Sequence, residues 1–264
     1  MAIAVSDAQF HLLRAGAFAF AVALSTTLQR RLPHAKRRGS VGTNLGLWAV
    51  DGVVMGAVCG ACACTVARWA AAGGIGVLNT TGSSLWVAIP TTVIALDFVS
   101  YVWHRANHVV PTLWRLHRVH HSDQTFTVST ALRFHPGELV LSLPLRLLAV
   151  VVLGAPALGV VAFEALFAVS NLIEHGDIDL PLRLERAVDG VLVTPALHRF
   201  HHTRAGLERD HNFGTILVLW DRLLWTYRPN SSAMRVEVGL AEIRDPLGLR
   251  AALLLPLRSL RSES

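Results

Sequence analysis

Apolar residues in this chain come in long uncharged runs, without the alternation of half-buried strands or the periodic stripe of amphipathic surface helices. Ala15–Leu28 carries no charge, Leu45–Ala67 only Asp51, and Trp69–Leu96 none at all. The last stretch is longer than the ~20 residues that one bilayer crossing needs. Gly73, Gly74, Gly76 and the polar segment 79–84 supply a turn, which sets the next span at about Leu85–Trp103. After a polar region from His104 to Glu138, the apolar pattern resumes over Leu139–Ile173, broken by Gly154 and Pro156. This predicts a helical hairpin, either shallow and tilted or crossing twice, with Arg146 and Glu164 inside it. No later segment is long enough to span. Leu249–Leu260 reads as an in-plane interfacial stretch or an unordered tail.

The pattern divides the chain into N-terminal membrane helices with a basic loop (1–95), a central unit (96–230) and a C-terminal tail (231–264). The predicted fold is all-α, an integral membrane helical bundle with about four to five membrane-embedded helices.

Composition agrees. The chain is 52% hydrophobic and 16% charged, against about 25% charged for soluble domains. Disorder, a collagen-like fibre and a highly charged coiled coil are excluded. The formal charge is +6, and Lys36 is the one lysine among 24 basic residues. These arginines lie between apolar runs, with no soluble basic face for nucleic acid, so lipid headgroups are the expected anionic partner. Arg30, Arg31, Lys36, Arg37 and Arg38 follow the first apolar run, the reverse of a cleaved secretory signal, which makes that run an anchor. If this basic loop is cytoplasmic, two crossings and then the hairpin return the chain to the cytoplasm at His104 and at Glu174. Cys59 and Cys62 form a CxxC, a metal or redox pair in one reading. Gly52, Gly56 and Gly60 on the same stretch favour the other, a close helix-packing face.

Eleven of the 13 histidines fall between His104 and His211. His104 and His108 are spaced i, i+4, and His117-xx-His120-His121 and His198-xx-His201-His202 are spaced i, i+3, i+4, so each group shares one helix face. Chance placement gives about 0.03 HxxHH matches in such a chain, and two occur. Eight imidazoles exceed one tetrahedral zinc and suit two neighbouring metals; spacing alone leaves zinc, copper, iron and nickel open. An interfacial cationic surface needs no repeated histidines.

His104-xxx-His108, Trp114-xx-His117-xx-His120-His121, Pro195-xx-His198-xx-His201-His202, Asp210-x-Asn212-Phe213-Gly214 and Trp220-Asp221 resemble the fatty acid hydroxylase/sterol desaturase superfamily, from about Asp97 to Tyr227. The resemblance implies a membrane-bound di-iron oxygenase with a histidine-rich metal site on the cytoplasmic side. It implies two ferrous ions, O2 as co-substrate, and His104, His108, His117, His120, His121, His198, His201 and His202 as ligands, with His175 as a ninth. Some superfamily members have a histidine where Asn171 stands. His135 is expected to orient ligands or serve structure, and His211 to be solvated; His11 and His34 are isolated. The family's Trp-Asp-x-Leu-Phe-Gly-Thr ending here reads Leu224-Trp225 in place of Phe-Gly, which predicts a local rearrangement. Asp123, Glu138, Glu174 and Asp177 lie near the boxes and either accept an N–H from a ligand imidazole or pair with arginines.

The implied activity is hydroxylation or desaturation of a sterol-like, fatty-acyl or isoprenoid lipid. Electrons would come from a separate donor, ferredoxin or cytochrome b5-like, because no haem or flavin segment is evident. Phe98, Trp103, Phe163 and Phe167 are candidate pocket residues. Two other classes remain: a non-oxidative metal-binding or transport protein, disfavoured because only Asp51 and Asp97 interrupt the second and third spans, and a zinc-dependent membrane hydrolase.

Overall fold

The computed structural model describes residues 7–35, 39–58, 63–204, 210–229 and 236–258. They form α1 (Asp7–Arg31), α2 (Val41–Val58), α3 (Ala63–Ala72), α4 (Val77–Thr80), α5 (Leu85–Val109), α6 (Pro111–His121), α7 (Pro136–Leu153), α8 (Ala157–Glu174), α9 (Leu182–Val188), α10 (Pro195–His201), α11 (Leu219–Leu223) and α12 (Leu249–Leu253). Short 3-10 turns add Val128–Leu132 and Leu255–Leu257, and among the described residues only isolated β-bridges occur. The fold is an all-α membrane bundle. Five stretches are long and apolar enough to cross a bilayer: α1, the stretch running from α2 to α4, α5, α7 and α8.

Two spans outgrow their sequence-based limits. The 14-residue uncharged run is the middle of a 25-residue helix. The third span does not stop at Trp103 but continues to Val109, so His104 and His108 ride on a membrane helix. The hairpin breaks where expected: Gly154 caps α7 in the left-handed conformation (φ 69°) and Pro156 opens α8. Gly76, at φ 95°, packs so close that a Cβ on it would lie 2.2 Å from the Gly154 nitrogen, so neither position takes a side chain. The 73–84 turn contains the short helix α4.

Buried contacts give the helix directions. Along α1, Phe10 joins the cluster at Ala157, Leu158 and Val161, Ala21 meets Leu172, and Gln29 accepts from the Asp177 amide, so α1 and α8 run parallel. α7 runs back against α8. Gly159 lets α8 close on α5, where a Cβ would sit 2.8 Å from the Thr92 side chain. The loop after α1 then lies on the loop after α8: Pro33 bridges Ile178, and the Ala35 amide donates to the Asp177 carboxylate at 3.1 Å. The segment after Arg30 and both histidine regions therefore occupy one end of the bundle.

Some expectations fail. A Cβ on Gly52 or Gly56 would meet nothing within 4 Å, so no described helix packs on that face; Gly60, Cys59 and Cys62 lie outside the described residues. Residues 249–258 are neither an unordered tail nor a simple interfacial stretch. Ala252, Leu255 and Pro256 are buried, and this segment packs with Leu47 of α2 and Val119 of α6. Several arginines expected at headgroups are structural. Arg118 donates to the Leu255 and Arg258 carbonyls, Arg115 to Pro256 O, Arg199 to Ile178 O and Arg204 to Ile243 O. Arg133, fully buried, binds Val119 O, Asn44 and Ser122.

Candidate metal centre

Helix ends bring the histidines together. His104 and His108 stand one turn apart in the last turns of α5. Pro111 at the first position of α6 restarts the helix after an extended Val110, and α6 carries His117, His120 and His121. His175 is the residue that caps α8 at its C-terminus. In α10, Thr194 caps the N-terminus by accepting from the Leu197 amide and Pro195 follows, which presents His198, His201 and the capping His202 inward.

All nine histidines named from sequence meet, in two groups. His104, His108, His117, His121 and His201 form one; His120, His175, His198 and His202 form the other, with ligand-capable atoms of each group within 4.8 Å of one another. The groups adjoin through His121 and His202, stacked at 4.1 Å. His11, His34, His135 and His211 belong to neither. Burial, reinforced by the neighbouring imidazoles, pushes His120, His121, His198 and His202 well below the ordinary imidazole range, and burial holds His175 at about 3. These rings are neutral.

Hydrogen bonds to carbonyls fix the tautomers, since a carbonyl only accepts. His104 Nδ1 donates to Phe213 O (2.9 Å), His120 Nδ1 to Arg133 O (3.1 Å), His175 Nδ1 to Asn171 O (2.7 Å) and His201 Nδ1 to His211 O (2.7 Å). Each Nε2 is then a bare lone pair. The His120 and His175 Nε2 atoms face each other at 2.9 Å, two acceptors with no proton between them. The buried His104 Nε2 has no hydrogen-bond partner. Converging buried lone pairs with no donor are the arrangement a cation relieves, so the donor set fits metal ions.

Of the four carboxylates singled out by proximity, Glu138 accepts a hydrogen bond from one of the nine: its Oε1 takes His117 Nδ1 (2.9 Å) and Asn107 Nδ2 (3.0 Å). Asp123 instead takes Asn44 and Thr130 and ties α2 to the loop after α6. Asp177 holds the Ala35 amide. Glu174 lies 3.8 Å from His175 Nδ1, but neither of its oxygens has a hydrogen-bond partner. His135 orients no ligand; it caps α7 and contacts Leu253 O through Nε2 at 3.2 Å. His211 is half-buried, not solvated: its carbonyl orients His201, and its Nε2 accepts from Arg228 Nε at 3.3 Å.

Three supporting residues were not identified from sequence. Asp221 accepts from the Phe213 and Gly214 amides and Thr226 Oγ1, so it sets the carbonyl that orients His104. Asp97 accepts from Thr215, Ile216, Leu217 and Trp220, anchoring the same loop to α5. Asn107 steadies Glu138. The signal for Asp97 was its solitary charge in an apolar span. The Leu224-Trp225 departure lies just after α11. Trp225 adopts φ 60°, in the region glycine favours, and is 91% exposed.

A cavity of about 80 Å³ opens beside the histidines, lined by His104, His120, His175 and Glu174 together with Trp103, Leu145 and Phe167. Phe163 is fully buried against α7 and Phe98 packs on Trp220, so neither lines this cavity.

Residues 89–226, just over half of the chain, match the family described as Fatty acid hydroxylase. The chain is similar to an ornithine lipid hydroxylase of Rhizobium tropici (30% identity; 56% of this chain, 44% of that protein). It is also similar to alkylglycerol monooxygenase of Danio rerio (32%; 62% and 33%) and lathosterol oxidase of Mus musculus (27%; 56% and 48%). It spans less than half the length of each. No solved structure gives a significant match.

Proposed function

Because this chain belongs to the fatty acid hydroxylase family, we propose that it is an integral-membrane oxygenase that hydroxylates or desaturates a lipid. The facing Nε2 lone pairs of His120 and His175 carry the reading: they need a cation, and the five-histidine group beside them provides a second position. His104, His108, His117, His121 and His201 would hold one iron; His120, His175, His198 and His202 would hold the other. When bound, two ferrous ions would supply the reductive activation of O2 needed to attack an unactivated C–H bond.

The chain's own residues do the rest. Carbonyls of Phe213, Arg133, Asn171 and His211, with Glu138, fix imidazole orientation so that each lone pair points inward without reorganisation. Trp103, Leu145 and Phe167 give the cavity an apolar wall that admits a lipid chain and keeps water from the reacting carbon. The histidine end faces the cytoplasm in this reading, set by the basic segment after α1, and electrons arrive there from a separate ferredoxin or cytochrome b5-like protein.

Iron and zinc measured per purified chain test the proposal. Close to two irons are expected. A single zinc would favour a hydrolase, and metal taken up without oxidised lipid would favour a binding or transport protein.

A further inference from the structure

Arg146 lies in the middle of α7, among residues that face lipid or the bundle interior. An ionised side chain at membrane depth is costly and is normally paired. Its guanidinium rests on the Phe163 and Phe167 rings, 6.0 and 5.8 Å from their centroids. No carboxylate of the described residues comes within ion-pair distance. The nearby acid, Glu164, is engaged by Arg14 at 3.4 Å. The arginine is thus a half-buried cation backed by two aromatic faces, with no direct ion pair and with Glu164, shared with Arg14, close enough to offset part of its charge.

Its position is informative. Arg146, Phe167 and Asn171 line both the cavity at the histidines and a second one of about 520 Å³, bounded by His11, Arg14 and Phe18 of α1, Trp48 of α2 and residues of α8 that include Glu164. The cation therefore stands at the junction between the metal site and a space that opens among membrane helices. Along α7 it lies eight residues beyond Glu138, about 12 Å at 1.5 Å per residue. An anion at Arg146 leaves room for an alkyl chain between it and the histidines.

We propose that Arg146 is an anion subsite that binds the phosphate or carboxylate of the lipid entering through the second cavity. A guanidinium suits this task because it stays charged, forks onto oxyanions and stacks on aromatic rings. The inference deepens the oxygenase reading by naming the substrate class: a lipid with an oxyanion removed from the carbon that is oxidised.

Binding tests it without turnover. Metal-loaded protein in a non-ionic maltoside is titrated with dodecyl phosphate, dodecanoate and dodecanol, and binding is followed by tryptophan fluorescence. At least one of the two anions should bind ten-fold or more tightly than the alcohol. R146Q should lose that preference while keeping dodecanol affinity and iron content, and R146K should keep part of it. Inorganic phosphate should compete only at far higher concentration; competition at equal concentration would assign the site to free phosphate and overturn a lipid subsite. Equal binding of all three amphiphiles by the unaltered protein, or an anion preference that survives R146Q, would also overturn it. Should R146Q fail to fold, the comparison on the unaltered protein still decides. Anion preference in a protein that takes up no iron when offered it would instead sink the oxygenase reading and leave the subsite standing.

Discussion

His120 and His175 come from segments 55 residues apart, yet their Nε2 atoms face each other at 2.9 Å while both Nδ1 atoms are committed to backbone carbonyls. The contact is not a hydrogen bond. A cation between them turns repulsion into ligation, so chelation should lower Tm and metal should restore it, following mass action. H175A should lose about half the iron and essentially all product. Unchanged Tm on complete metal removal would contradict this account of the pair.

The pH dependence of the metal-free protein has a definite sign. His175 is held at about 3 against an ordinary 6.5, with His120, His121, His198 and His202 lowered too. Below pH ~6.5 the unfolded chain binds protons that the folded chain refuses, so stability falls as pH drops through 6.5 toward 3, and these groups contribute nothing above it. Each such histidine costs up to about 1.4 kcal/mol per pH unit. Thermal unfolding of chelated protein at pH 7.5, 6.5 and 5.5 should show little change over the first step and a marked drop over the second.

Glu138 holds His117 through one oxygen. E138A should weaken metal binding or turnover about 10–100-fold, the usual cost of removing a carboxylate behind a ligand imidazole. E138Q should fall between, since an amide oxygen still accepts from Nδ1 but without charge. Iron content and turnover measured on the same preparations check it; a full iron load with unaltered turnover in E138A is the contrary result.

Asp221 satisfies two amides and a hydroxyl in the 212–226 loop. D221A strands these buried donors at about 1–3 kcal/mol each before relaxation, and it frees the Phe213 carbonyl that orients His104. A large drop in Tm together with loss of iron is expected. Loss of stability with full iron retention would separate the loop from the metal site.

Trp225 holds a backbone conformation that glycine adopts freely, and its exposed ring receives little packing in return. W225G should raise stability by roughly 1 kcal/mol, read as a higher Tm in detergent. A lower Tm would show that the ring is held by contacts outside the chain.

Much of the metal centre was legible because ligation needs local spacing: i, i+3, i+4 histidines share a helix face whatever surrounds the helix. Span positions were legible for a related reason, since the bilayer demands long uncharged runs. Helix ends were not. α5 outruns its apolar stretch because the histidine-bearing turns are covered by α6 and the 210–227 loop rather than by lipid. The arginines misled because charge alone does not say whether a guanidinium meets a headgroup or a buried carbonyl; Arg133 and Arg118 meet carbonyls of the fold. Proximity in sequence likewise selected four carboxylates; Glu138 orients a ligand, whereas Asp123 ties α2 to the loop after α6.

The sequence by itself determined an all-α membrane bundle and eight histidines at ligand spacing, because hydrophobic length and helical periodicity are local properties of the chain; the ninth, His175, came only from the family resemblance. Only the tertiary structure decided how the nine divide into five and four, which carbonyl fixes each ring, and that Arg146 stands between two cavities. Those relations join residues from different helices, and their distances are set by packing that no local pattern encodes.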